Sequence, residues 1–225
     1  MKQIFLILGI LIIILSIYLS QVGLAIYQNL SSNGKEFSTN KIFMNHSLLN
    51  KKIAIVISFR DFRDIEYFVP KNVFEAAGAE VITLSSKIGI AIGADGGEVK
   101  VDNLVSKTDV GDFDAVVFIG GSGMSKNLDN EDFQNLVQQT IAEKKVLGGI
   151  CIAPVLLAKA GVLGGKKATV WSHYLTKEPI NILKRSGAFY NEESVVVDGR
   201  IVTADGPDVS EQWAVKIVEV LSSGK

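Results

Sequence analysis

From Lys52 onward, short apolar runs alternate with amphipathic stretches. The runs KIAIVIS (52–58), EVITLSS (80–86), DAVVFIGG (114–121) and KVLGGIC (145–151) end in small residues and predict strands buried on both faces. Between them, PKNVFEAAGA (70–79) predicts a helix with Pro70 at its first position and Gly78 as its stop. A second helix is predicted over NEDFQNLVQQTIAEKK (130–145), capped by Asn130 and closed by lysines. Strand and helix in alternation imply a parallel sheet covered by helices on both faces. Two segments interrupt the pattern: KIGIAIGADGGEVKVDN (87–103) and SVVVDGRIVTA (194–204) alternate around Asp95-Gly96-Gly97 and Asp198-Gly199, which predicts hairpins beside the main sheet. SEQWAVKIVEVLSS (210–223) places Trp213, Ala214, Ile217, Val218 and Leu221 on one face, as a closing helix packed on the sheet would.

The N-terminus has a different pattern. No charged residue occurs from Gln3 to Gly34, and residues 4–27 form an apolar run with a single lysine, Lys2, ahead of it. Such a run is long enough to cross a bilayer, so residues 1–27 are expected to form an N-terminal transmembrane helix, or a signal segment cleaved near Gly23-Leu24-Ala25. The positive-inside rule then puts the domain on the extracytoplasmic side, or releases it as a secreted protein if the segment is removed. Residues 28–50, polar and rich in Ser and Asn, read as a tether. Residues 51–225 are expected to form the catalytic or binding domain.

Composition narrows the chemistry further. Lys and Arg number 23 against 24 Asp and Glu, and they are scattered, so no nucleic-acid footprint is expected. One cysteine and two histidines, His46 and His173, make a disulfide impossible within the chain and a structural metal site of the usual kind unexpected. The lone cysteine, Cys151, stands where the fourth strand turns directly into APVLLAKAG. A sulfur on such a strand-to-helix turn faces a helix N-terminus and unpaired N–H groups, which favour thiolate over thiol. Against this stands the ordinary role of an isolated cysteine as inert core filling. Gly120 and Gly121 end the third strand, where an oxyanion hole could be built from the amides of Gly121 and Ile152. Glu66, in the segment before Pro70, could hydrogen-bond the sulfur if burial kept it protonated.

Five stretches together resemble the DJ-1/PfpI (ThiJ/PfpI) superfamily, which is related to class I glutamine amidotransferase-like domains. They are IEYFVP (65–70), VVFIGGSG (116–123), GGICIAP (148–154), GKKATVW (165–171) and TADGPDVSEQWAVKIVEVL (203–221). The resemblance covers nearly all of residues 52–223. It implies an α/β fold, a flavodoxin-like three-layer α/β/α sandwich, with a mostly parallel sheet and a nucleophile-elbow Cys151. It also implies Glu66 as the protonated acid beside it, Gly121 and Ile152 as the amide hole, and a homodimer. Gly120, Trp171, Gly206 and Pro207 are expected to line the pocket.

Two positions depart from the family pattern. Ile152 replaces the histidine that follows the nucleophile in the protease-like branch, and Trp171 stands where the other branch has a histidine. His173 lies two residues beyond Trp171, a displacement of roughly 7 Å along an extended segment. It is either a displaced general base or a surface loop residue.

The expected function is a cysteine-dependent hydrolase or lyase acting on small carbonyl compounds, glyoxalase- or deglycase-like, with peptide hydrolysis less favoured because the adjacent histidine is missing. No dissociable cofactor is expected. The alternative is a non-enzymatic redox-sensing or protein-protective domain that uses Cys151 oxidation, and a third reading is a degenerate ligand-binding domain on an anchor.

Overall fold

The computed structural model describes residues 47–173 and 175–223. These form a seven-stranded sheet between two helical layers. The strands are β1 (Lys52–Val56), β3 (Glu80–Ser85), β6 (Asn103–Leu104), β7 (Ala115–Phe118), β8 (Val146–Ile150), β11 (Val195–Asp198) and β12 (Ile201–Ala204), in the spatial order β11-β12-β8-β7-β1-β3-β6. All neighbours are parallel except β11 and β12. Side chains alternate between the two faces, as the strand period of two requires. Ile53 and Ile55 of β1 and Ala115 and Val117 of β7 enter one core, and Ala54, Val56, Val116 and Phe118 enter the other.

Helices α1 (Asp64–Ala76) and α6 (Ser210–Ser222) cover the first face through Tyr67, Val73, Phe74, Trp213, Ala214 and Ile217. The second face is covered by α3 (Glu131–Ala142), α4 (Ala153–Lys159) and α5 (Glu178–Arg185), with the one-turn α2 (Ser122–Ser125) after β7. The α/β/α sandwich expected from the sequence is therefore present. Asn130 caps α3 as expected, its side chain accepting from the Phe133 N–H at 3.3 Å.

Two details differ from expectation. Helix α1 begins at Asp64, so Pro70 lies inside it. As the seventh residue of α1, Pro70 cannot donate to the Glu66 carbonyl four residues earlier and its ring crowds that carbonyl, a cost set against the packing of Tyr67, Val73 and Phe74 on the sheet. The second predicted hairpin is part of the main sheet, because β12 pairs in parallel with β8. The first is separate: β4 (Gly89–Gly93) and β5 (Glu98–Val101) join β2 (Arg60–Phe62) in a three-stranded sheet of their own. Beyond these, β9 (Lys167–Ala168) and β10 (Phe189–Tyr190) form a small parallel pair.

The transmembrane helix is corrected. Among the described residues no helix is long and apolar enough to cross a membrane. The longest, α1 and α6, have 13 residues each, about 20 Å of helix against a hydrocarbon core of about 30 Å. The apolar run 4–27 and residues 28–46 of the tether 28–50, His46 among them, lie outside the described residues. Membrane anchoring and the extracytoplasmic placement derived from it are withdrawn.

One buried carboxylate joins the hairpin to the main body. Asp64, at the start of α1, accepts the N–H groups of Asp95 at 2.8 Å and Gly97 at 2.6 Å. A Cβ on Gly93 or Gly97 would overlap its oxygens, so both positions need glycine. Asp64→Ala leaves two donors without their acceptor, and each unsatisfied buried group is costly. The variant is expected to lose about 2–3 kcal/mol, read as a lower urea midpoint with an unchanged slope.

Candidate functional site

The strand order explains how distant residues meet. β1, β7 and β8 are adjacent, and their carboxyl ends lead to Glu66, Gly120-Gly121 and Cys151 respectively. Crevices at such ends are where open α/β sheets bind ligands.

Cys151 has φ of 61°, in the left-handed region. A side chain there costs about 1 kcal/mol or more, and the surroundings hold it in place. Its N–H donates to the Ala204 carbonyl at 2.9 Å, and its carbonyl accepts from the Trp171 N–H at 2.9 Å. The result is a sharp turn between β8 and α4 that presents a half-buried thiol. Gly120 is needed for this approach: a Cβ on it would lie 2.7 Å from Cys151 Cβ and 2.9 Å from Glu66 Oε2. Gly121, at φ 101°, would bring a Cβ within 2.6 Å of Arg63 N and Asp61 O.

Glu66, in the first turn of α1, is fully buried. Its Oε2 accepts the Gly120 N–H at 3.0 Å, while Oε1 is buried without a well-formed hydrogen bond among the described residues. Burial raises the Glu66 pKa to about 7; the Gly120 N–H, the neighbouring Cys151 thiol and the charge of Arg63 oppose the shift.

The thiol differs from the sequence expectation. Burial, followed by the charge of the Glu66 carboxylate, pushes Cys151 up to about 12. The Gly121 and Ile152 N–H groups pull the other way, bonding to the sulfur. Helix α4 has only 7 residues, and so short a dipole does not outweigh desolvation. The two values belong to a pair whose charges repel, so the site's protons come off the pair and not off either residue alone.

The structure thus brings Cys151, Glu66, Gly120, Gly121 and Ile152 together. Trp171 is tied to Cys151 through its backbone, and its Cδ1 lies 4.0 Å from where a Cβ of Gly206 would stand. Gly206 opens the 3-10 turn Pro207–Val209 that leads into α6. His173 is at the surface: its backbone pairs with Thr176 and its Nδ1 accepts from the Leu175 N–H at 3.3 Å. It does not figure among the groups acting on the thiol.

Sequence reasoning missed Arg63. Its N–H donates to the Gly120 carbonyl at 3.2 Å, holding the first loop against the third, and its charge acts on Glu66. The available signal was its position directly before the acidic first turn of a helix, which was visible only once α1 began at Asp64.

Residues 51–220 match the DJ-1/PfpI family. The chain belongs to the DJ-1/PfpI family. Members of this superfamily share the class I glutamine amidotransferase-like fold. Among solved structures, a ThiJ/PfpI domain protein from Brachyspira murdochii is 36% identical with a TM-score of 0.72, covering 76% of this chain and 96% of that one. An uncharacterized protein of Methanocaldococcus jannaschii is 36% identical over 184 residues, 81% of this chain and 88% of its own length. Protein/nucleic acid deglycase 2 of Escherichia coli is 32% identical over 163 residues, 71% of this chain and 91% of its own.

Proposed function

We propose that this DJ-1/PfpI protein is a cysteine-dependent enzyme of the glyoxalase or deglycase type, in which Cys151 adds to a small reactive carbonyl. The observation that carries the reading is the buried carboxyl of Glu66, with one oxygen unsatisfied, beside a thiol on a strained turn. A general base needs an ordinary pKa near the working pH and reach to the proton it takes, and Glu66 at about 7 meets the first condition beside its partner.

As sulfur attacks the carbonyl carbon, the S–H proton passes to Glu66 and the carbonyl oxygen gains the electron pair, giving a hemithioacetal once that oxygen is protonated. Proton transfer removes the Glu66 charge that opposed thiolate formation. With a 2-oxoaldehyde, moving the proton from the former aldehyde carbon to the neighbouring carbonyl carbon gives a 2-hydroxy thioester, and water releases a 2-hydroxy acid. Oxidation at one carbon balances reduction at the next, so no external electron carrier is needed. The N–H groups of Gly121 and Ile152 stabilise negative charge at sulfur. His173, held in its surface turn, serves at most as a rim residue in this scheme.

The redox alternative would draw on the same thiol and the same Glu66, and no observation at the site favours it over addition to a carbonyl. Incubating the protein with methylglyoxal and following loss of the dicarbonyl and gain of lactate tests the proposal. Catalytic conversion over many turnovers is expected; stoichiometric thiol consumption without product contradicts it.

A further inference from the structure

The carbonyl reading leaves the substrate class open, and the inference here rests on that reading and narrows it. The site at the carboxyl ends of β7, β8 and β12 has two unlike sides. Glu66 and the amides of Gly120 and Gly121 make one side polar. The other side is apolar. The Trp171 N–H bonds the Cys151 carbonyl, which holds this residue next to the nucleophile in the backbone, and the indole Cδ1 lies 4.0 Å from where a Cβ of Gly206 would stand. The residue keeps 37% of its surface exposed. Ile152, half-buried, follows the nucleophile directly. An exposed aromatic ring on a residue bonded to the nucleophile's own carbonyl can serve as a stacking platform, since planar groups gain both buried area and favourable ring geometry there.

We propose that the carbonyl compounds attacked by Cys151 carry a planar apolar substituent that stacks on Trp171, as in an aryl 2-oxoaldehyde. Trp171 is then the residue that sets specificity. A methyl group or hydrogen in its place leaves the exposed indole face uncovered, so the smallest dicarbonyls are the poorer substrates.

Because Cys151 is the only cysteine, alkylation reads this site without depending on turnover. Rates at pH 9 with iodoacetamide and with its N-phenyl analogue, each normalised to a free small thiol, are compared in the wild type and in Trp171→Phe, Trp171→Gln and Trp171→Ala. The wild type and Trp171→Phe are expected to favour the phenyl reagent by about five- to tenfold, and the Gln and Ala variants to lose that preference. A wild-type ratio near one, or a ratio unchanged in both non-aromatic variants, overturns the proposal. The kcat/KM ratio of phenylglyoxal to methylglyoxal is expected to fall by a similar factor in the same two variants. If alkylation depends on Trp171 while neither dicarbonyl turns over, the ligand class stands and the carbonyl reaction is what fails.

Discussion

Cys151→Ala is expected to lower kcat/KM toward a dicarbonyl by at least about a thousandfold, the size of effect seen when a covalent nucleophile is removed. The fold should survive. The elbow geometry is held by the backbone bonds to Ala204 and Trp171, which the substitution leaves in place, and alanine is smaller than cysteine and meets no new neighbour. Stability should therefore change by no more than about 1 kcal/mol, and urea unfolding of the variant checks this. Residual activity near the wild-type level would place the chemistry elsewhere.

Glu66→Gln is expected to have two opposite effects. Activity falls by about a hundredfold or more, because amide nitrogen and oxygen cannot take the thiol proton. Stability at alkaline pH rises. The wild-type carboxyl has its pKa raised by burial from 4.5 to about 7, so the native state holds its proton more tightly than the unfolded chain does. Between about 4.5 and 7 the unfolded state has released the proton that the native state keeps, and stability falls as pH rises. Above pH 7 the full cost is present, about 3 kcal/mol for a shift of this size. A neutral glutamine carries no such cost. The variant should exceed the wild type by up to about 3 kcal/mol at pH 8, with the difference closing toward pH 4.5. Urea midpoints at pH 8, 6 and 4.5 measure it, and a variant less stable than the wild type at pH 8 contradicts the burial argument.

Much of this architecture is legible in the sequence for a definite reason. Strands covered on both faces must be apolar throughout, so KIAIVIS and DAVVFIGG identify themselves, and Asn130 marks its helix because a side-chain acceptor is needed there. The start of α1 is less legible, since Pro70 resembles a first helical residue and only the tertiary packing of Tyr67, Val73 and Phe74 shows that the helix already runs from Asp64. The destination of the Asp198-Gly199 hairpin depends on β8 offering a free edge to β12, which no local pattern records. At the site, the residue types alone leave Cys151 open between a reactive thiol and core filling, and the resemblance to the family is what nominates it together with Glu66 and the glycines. The direction of the thiol's shift does not follow from them, because it is set by a balance between burial, the Glu66 charge and two amides that exists only in three dimensions.

The pH dependence of Cys151 alkylation tests most directly whether Cys151 and Glu66 share a proton as a pair. Loss of the first proton from the pair, near pH 7, leaves the remaining proton mainly on sulfur with a small thiolate population beside protonated Glu66, and loss of the second lies toward 12. The wild type should therefore show two rises in rate separated by a plateau. Glu66→Gln should show one rise only, with the step near 7 gone. A single step at the same pH in both proteins would mean that the carboxyl and the thiol titrate independently, and the pair would not be an active site.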